Sequence, residues 1–326
     1  MDQRIRPRRN RSHPAVREMM AETDLSPNRF VWPLFILDQE HGAVPIDTMP
    51  GQFRWGRKDA IDQMKKAQKK GVNSFALFPV IPESQKNERA SEAVNKNHSY
   101  ILFLKKLRDA IPEAVIITDL ALDPYSTSGH DGIVKNGKIL NDVTVEILAE
   151  MAIIHADAGI NLVAPSDMMD GRVSAIRKKL DSKGFTDTGI LSYTVKYASA
   201  FYGPFRDALS STPKFGDKKT YQMDYRNSKE GLRELALDIK EGADIVMIKP
   251  ALAYLDIISL IKKNSTVPVA AYNVSGEYAM IKFAAQAKAI DEQKVILETL
   301  YSIRRAGADI IFTYHAFEAA DWFSKS

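Results

Sequence analysis

The chain has 326 residues, 45% of them hydrophobic and 26% charged, a composition that excludes whole-chain disorder, collagen and coiled coil. No stretch approaches the roughly 20 unbroken apolar residues of a membrane helix. Cysteine is absent, which removes disulfides, a thiolate nucleophile and any Cys-ligated zinc or iron–sulfur centre. Net charge is +4, unevenly placed. Residues 1–17 carry six arginines (Arg4, Arg6, Arg8, Arg9, Arg11 and Arg17) against one acid, Asp2, and the remainder is close to neutral. The arm reads as a nucleic-acid contact, a docking segment for a neighbouring subunit or a solvated tail. With no apolar run after the arginines it is not a secretory signal. Together with the missing cysteines, this leads to the expectation of a cytoplasmic protein.

Eight apolar runs rich in β-branched or aromatic residues follow: Phe30–Leu37, Ser74–Val80, Ala114–Leu122, Asn161–Asp167, Gly189–Lys196, Asp244–Ala251, Val267–Ser275 and Asp309–Ala316. Stretches of helical period lie between many of them, such as Leu232, Leu235 and Ile239. Asn141 or Asp142 is expected to cap one helix, and Ser228 another. Gly71, Gly159, Gly242 and Gly307 each stand between a polar helix end and a buried strand. Glycine there takes the left-handed conformation that ends a helix and turns the chain into the sheet. Continuous apolar strands indicate a parallel sheet covered on both faces. Eight such units fit an α/β fold of the (β/α)8 TIM-barrel class, and the lack of G-x-G-x-x-G or Walker loops weighs against a doubly wound nucleotide-binding sheet. The expected division is an N-terminal arm over 1–29 and a catalytic barrel over 30–326. Its two long segments, near 123–141 and 200–230, follow the third and fifth strands and read as lids.

In a barrel the strand C-termini converge on one mouth. Polar residues end the apolar runs there: Asp119, Ser166, Asp167, Lys196, Lys249, Ser275 and Tyr314. Lys249 follows four apolar residues, where desolvation would lower its pKa and leave the neutral amine that a carbonyl substrate needs. The competing reading is a lysine that snorkels its charge outward. Lys196 on the neighbouring strand has the same two readings, and two adjacent ammoniums would each disfavour the other's charge, which favours Schiff-base chemistry. Arg206, Lys218 and Gln222 in the second lid could clamp a carboxylate, or be a solvated loop. His130, Asp123 and Asp131 read better as a hydrogen-bonded loop than as a metal cluster.

Several motifs together resemble the porphobilinogen synthase (5-aminolevulinate dehydratase) family. They are Ser192-Tyr193-Thr194-Val195-Lys196-Tyr197 continuing to Ala208, Met247-Ile248-Lys249-Pro250-Ala251, Lys218 to Asp224, Pro165 to Gly171, and Tyr272-Asn273-Val274-Ser275-Gly276-Glu277-Tyr278. The resemblance runs from Arg6 to about Trp322. It implies condensation of two 5-aminolevulinates to porphobilinogen for tetrapyrrole (heme or chlorophyll) synthesis, with Lys249 and Lys196 forming Schiff bases to the P-side and A-side substrates. It further implies Ser275 and Tyr314, with Tyr272, on one carboxylate, and Arg206, Lys218 and Gln222 on the other; Asp119 and Ser166 complete the substrate site. Where zinc-dependent members have three cysteines this chain has Ala121, Asp123 and Asp131, so it resembles the zinc-independent, aspartate-containing branch. That branch implies an allosteric magnesium at Glu234, no zinc and no organic cofactor. The resemblance also turns the arginine-rich arm into an assembly device, commonly for a homo-octamer, with no nucleic acid or membrane as partner. The nearest rival is another Schiff-base aldolase or lyase barrel, which needs one catalytic lysine where this chain offers two.

Overall fold

A computed structural model describes residues 5–323. Its eight long strands are β1 (Phe30–Leu37), β2 (Ser74–Val80), β3 (Val115–Leu120), β4 (Leu162–Pro165), β5 (Gly189–Lys196), β6 (Ile245–Lys249), β7 (Val269–Asn273) and β8 (Ile310–Thr313). Each pairs in parallel with the next, and β8 returns to β1 through Phe30 opposite Ile311 and Val31 opposite Phe312. The sheet therefore closes into a (β/α)8 barrel, as the eight apolar runs predict.

Alternation along the strands explains those runs. Phe35, Phe78, Ile117, Tyr193, Met247, Tyr272 and Phe312 point inward and fill the barrel. Trp32, Phe75, Ile116, Val163, Ile248 and Ile311 point outward under the helices. Both faces are buried, so both must be apolar. The four junction glycines all adopt positive φ: +89° at Gly71, +82° at Gly159, +106° at Gly242 and +125° at Gly307. The expected helix caps differ. The helix Asn141–Asp157 starts at Asn141 itself, whose side-chain oxygen accepts from Asp170 N–H instead. The helix Glu230–Glu241 starts two residues after Ser228, without a side-chain cap.

Lys135-Asn136-Gly137-Lys138 closes a small hairpin within the segment after β3, with Asn136 and Gly137 both at positive φ, as a tight hairpin turn requires. This segment meets the one after β5: Lys214 N–H donates to Ser128 O at 3.0 Å, and His130 lies against both Tyr221 and Phe215. The arm contains a short 3-10 turn, Pro7–Arg11, and the helix Pro14–Met19, with Arg6, Arg8, Arg9, Arg11 and Arg17 exposed; Arg4 lies outside the described residues. Among the described residues no helix is long and apolar enough to cross a membrane.

Candidate active site

Regular alternation on β6 sends Val246 and Ile248 outward and Met247 and Lys249 inward. The Lys249 side chain ends in an aromatic cage, its Nζ 4.6 Å from the ring centre of Tyr272, 4.9 Å from Phe205 and 5.1 Å from both Tyr193 and Tyr202. Burial, and after it the neighbouring Lys196 charge, pull this amine down to about 7. A substantial fraction is thus a neutral nucleophile near neutral pH.

Lys196 reaches the same space by a different route. Along β5, Leu191 and Tyr193 face inward, so strict alternation would carry Val195 inward and Lys196 outward; instead Val195 faces out and Lys196 in. The ladder to β6 supplies the adjustment for the segment as a whole: Val246 pairs with Ser192 and Ile248 with Val195, two residues against three. This bulge lets an outward Ser192 and an outward Val195 share one strand with the inward pair Tyr193 and Lys196. Bulges beside active sites re-aim side chains in this way. Lys249 and Lys196 become register partners.

Lys196 Nζ donates to Asp131 Oδ2 at 3.2 Å and to the carbonyl of Ser166. The other Asp131 oxygen accepts from Lys218, which also lies 3.6 Å from Asp123 Oδ2. Burial alone would push the Asp131 carboxyl up; the Lys196 and Lys218 ammoniums overcome that and hold it well below the usual range. Burial likewise opposes charge on Lys218, but Asp131 and Asp123 raise its pKa. Asp119 ends β3 in the same cavity; burial, with Asp123 adding to it, pushes its carboxyl up to about 7.

One cavity therefore gathers Asp119, Ser166, Lys196, Lys249, Arg206, Lys218 and Gln222, together with Asp123, Asp131, Tyr202 and Phe205. The last two, and Tyr193, were not anticipated as site residues. Their only signal was the aromatic content of the motifs flanking Lys196. Tyr272 lies on β7, Ser275 begins the helix after it, and Tyr314 directly follows β8. The Tyr272 and Tyr314 hydroxyls are 3.0 Å apart, and Ser275 Oγ accepts from Phe205 N–H at 3.0 Å and donates to Phe201 O at 3.3 Å. Glu234 sits apart, in an open cleft with Asp170, Glu230 and Tyr221; Gln222 borders both spaces. His130 spends its ring nitrogens on Tyr221 Oη at 3.1 Å and Phe215 O at 3.0 Å, in keeping with the hydrogen-bonded loop expected of it.

Comparison with known proteins gives this site its context. The family described as Delta-aminolevulinic acid dehydratase matches residues 4–322. The chloroplastic delta-aminolevulinic acid dehydratase of Glycine max is 55% identical over 97% of this chain and 77% of its own length. The chloroplastic delta-aminolevulinic acid dehydratase 1 of Arabidopsis thaliana is 54% identical over 97% and 74%. The crystal structure of the Toxoplasma gondii ME49 delta-aminolevulinic acid dehydratase (porphobilinogen synthase), in complex with the reaction product porphobilinogen, matches with TM-score 0.96 and 50% identity, covering 98% of this chain and 91% of that one. The chloroplastic relatives overturn the expectation of a cytoplasmic protein. A cysteine count bears on redox environment and does not distinguish one reducing compartment from another. The extent and identity of these matches show that the chain belongs to the delta-aminolevulinic acid dehydratase family of enzymes.

Proposed function

We propose that this enzyme condenses two molecules of 5-aminolevulinate into porphobilinogen, releasing two waters, in the tetrapyrrole pathway. The observation that carries the reading is the pairing of two inward lysines, one of them a buried amine poised near neutrality. The neutral Lys249 Nζ attacks the ketone carbon of one substrate; the ketone oxygen leaves as water and a C=N bond takes its place. Asp119, with its carboxyl near 7, can give and take the protons this exchange requires at neutral pH. Lys196 forms the corresponding link to the second substrate once its proton has passed to a stronger base than Asp131, for which the Asp119 carboxylate stands in the same cavity. A single-lysine aldolase could use this second amine only to lower the pKa of the first, whereas joining two ketones gives each amine a substrate.

Substrate carboxylates need fixed donors. Ser275, Tyr314 and Tyr272 offer hydroxyls for the substrate on Lys249, and Arg206, Lys218 and Gln222 offer charge and an amide for the other. Lys218 stands on Asp131 and Asp123, so an arriving carboxylate competes with them for its ammonium.

The same contacts support assignment to the zinc-independent branch: Asp123 and Asp131 surround an ammonium where thiolates would hold zinc. Glu234 suits a hydrated magnesium ion. Burial first, then Asp238, Asp170 and Glu230, raise its carboxyl, and Arg172 only partly offsets them. Magnesium takes one or two carboxylates and keeps its waters. There it would supply countercharge and tie the helix Glu230–Glu241 to the loop bearing Asp170, away from the lysines. The division into an arm over 1–29 and a barrel with two lids, and assembly through the arms into a homo-octamer, complete the reading, with a plastid as the compartment. Incubation with 5-aminolevulinate and magnesium should yield porphobilinogen, detected by its colour reaction with an aromatic aldehyde; consumption of substrate without that product would contradict the proposal.

A further inference from the structure

Glu277 is a buried carboxylate, 1% exposed, two residues into the helix Ser275–Gln286 and outside the substrate cavity. Its hydrogen bonds reach more than one strand end. Oε1 accepts from Leu252 N–H at 2.7 Å, in the turn that directly follows Lys249-Pro250-Ala251. Oε2 accepts from Val274 N–H at 3.0 Å and Asn273 Nδ2 at 3.1 Å, at the end of β7. Asn273 in turn accepts from Thr313 Oγ1 at 3.0 Å, the residue before Tyr314. The ends of β6 and β7 are thereby linked through Glu277, and that of β8 through Asn273.

The same turn is held close to the segment after β5. A Cβ on Gly276 would stand 2.6 Å from Phe201 O, so only glycine permits this approach, and Ser275 bonds to both Phe201 and Phe205. Chemistry explains why the tie is a carboxylate. The donors on its two sides call for two acceptor oxygens, and an amide would turn an N–H₂ toward one of them. A residue needed only to fill space would not be a carboxyl, a group costly enough to bury that its pKa is pushed up to about 7 here.

We propose that Glu277 is a positioning residue for the reaction: it sets the Lys249 amine at the right separation from the hydroxyls of Ser275 and Tyr314. This rests on the assignment of Lys249 to imine formation and of those hydroxyls to the substrate carboxylate. The separation matters because the ketone and carboxylate of one substrate must be engaged together, and a displacement of about 1 Å costs on the order of a hundredfold in rate.

The test compares borohydride trapping at Lys249 with two ketones, 5-aminolevulinate and 1-aminobutan-2-one, the same amino ketone without its carboxylate. Wild-type enzyme should trap 5-aminolevulinate faster. In Glu277→Gln the ratio of the two rates should fall by about tenfold or more, with label still on Lys249. A merely structural defect lowers the active fraction and so both rates alike, leaving the ratio intact. Glu277→Asp keeps the charge but is one methylene too short to serve both turns, and should lose the ratio too; it substitutes if the glutamine variant does not fold. An unchanged ratio in a folded variant overturns the positioning role. A wild-type enzyme without label on Lys249, or without preference for the carboxylated ketone, would instead overturn the site assignment beneath it.

Discussion

Lys196 and Lys249 are register partners on adjacent barrel strands, yet their amines stand in opposite electrical surroundings. Lys196 lies 3.2 Å from a carboxylate oxygen of Asp131, whereas the Lys249 amine is ringed by four aromatic side chains. One is paired with a carboxylate and the other is poised to lose its proton.

The first prediction concerns pH. A lysine whose folded pKa is lowered to about 7 is charged below that value and nucleophilic above it. The rate of imine trapping at Lys249 should therefore climb as pH rises through about 7 and then level off. Lys196→Gln removes a like charge and should move this limb upward. A limb near the ordinary lysine value of ~10.4 would contradict the assigned environment.

Asp131 should matter for stability as well as chemistry. Asp131→Ala leaves the buried Lys196 and Lys218 ammoniums without their shared partner, and breaking such a pair costs about 3–5 kcal/mol. Its folded pKa is depressed, so its contribution is present above the ordinary carboxylate value and fades as pH falls below about 4. Urea unfolding at neutral and acid pH should show a large gap between variant and wild type that narrows in acid. A gap that widened in acid would reverse the sign and refute the account.

Much of this arrangement was legible in the residues themselves. Strand cores and the four glycine junctions follow from short-range chemistry, because a buried parallel strand must be apolar and a left-handed helix end needs glycine. Lys249 was placed at the mouth by its position at the end of four apolar residues. What escaped depended on contacts between distant segments. The β5 bulge appears only when two strands are laid side by side, and the cage of Tyr193, Tyr202 and Phe205 only when β5 and the segment after it are packed around Lys249 of β6. The Asp131–Lys218 pair joins residues 87 positions apart. The Asn141 and Ser228 caps failed for a local reason: a polar residue near a helix start serves as a cap only if no better partner competes, and Asn141 binds Asp170.

Magnesium should act through the outer cleft. Adding it to dialysed enzyme should raise activity or favour a larger assembly, and Glu234→Ala should abolish that response. Zinc-selective chelators and thiol reagents should have no effect on a chain without cysteine. Recovery of dialysed enzyme by zinc but not magnesium would contradict the branch assignment.

The arm makes a separate prediction. Guanidinium groups suit bidentate contact with carboxylates on a second subunit, and the helix Pro14–Met19 presents Met19 75% exposed, an apolar surface a partner could cover. Deleting residues 1–17 should shift the enzyme to smaller oligomers with lower activity while the barrel remains folded. Sedimentation velocity and circular dichroism would check both halves. Unchanged assembly with full activity would reduce the arm to a tail.

The most direct measurement is chemical identification of the residue that forms the imine with substrate. Enzyme incubated with isotopically labelled 5-aminolevulinate is reduced with borohydride, digested, and mapped by mass spectrometry. The account predicts label on the peptide containing Lys249, its loss in Lys249→Ala, and near-complete loss of porphobilinogen formation in that variant. Label confined to other peptides, or a Lys249→Ala enzyme that still makes porphobilinogen at the wild-type rate, would contradict it.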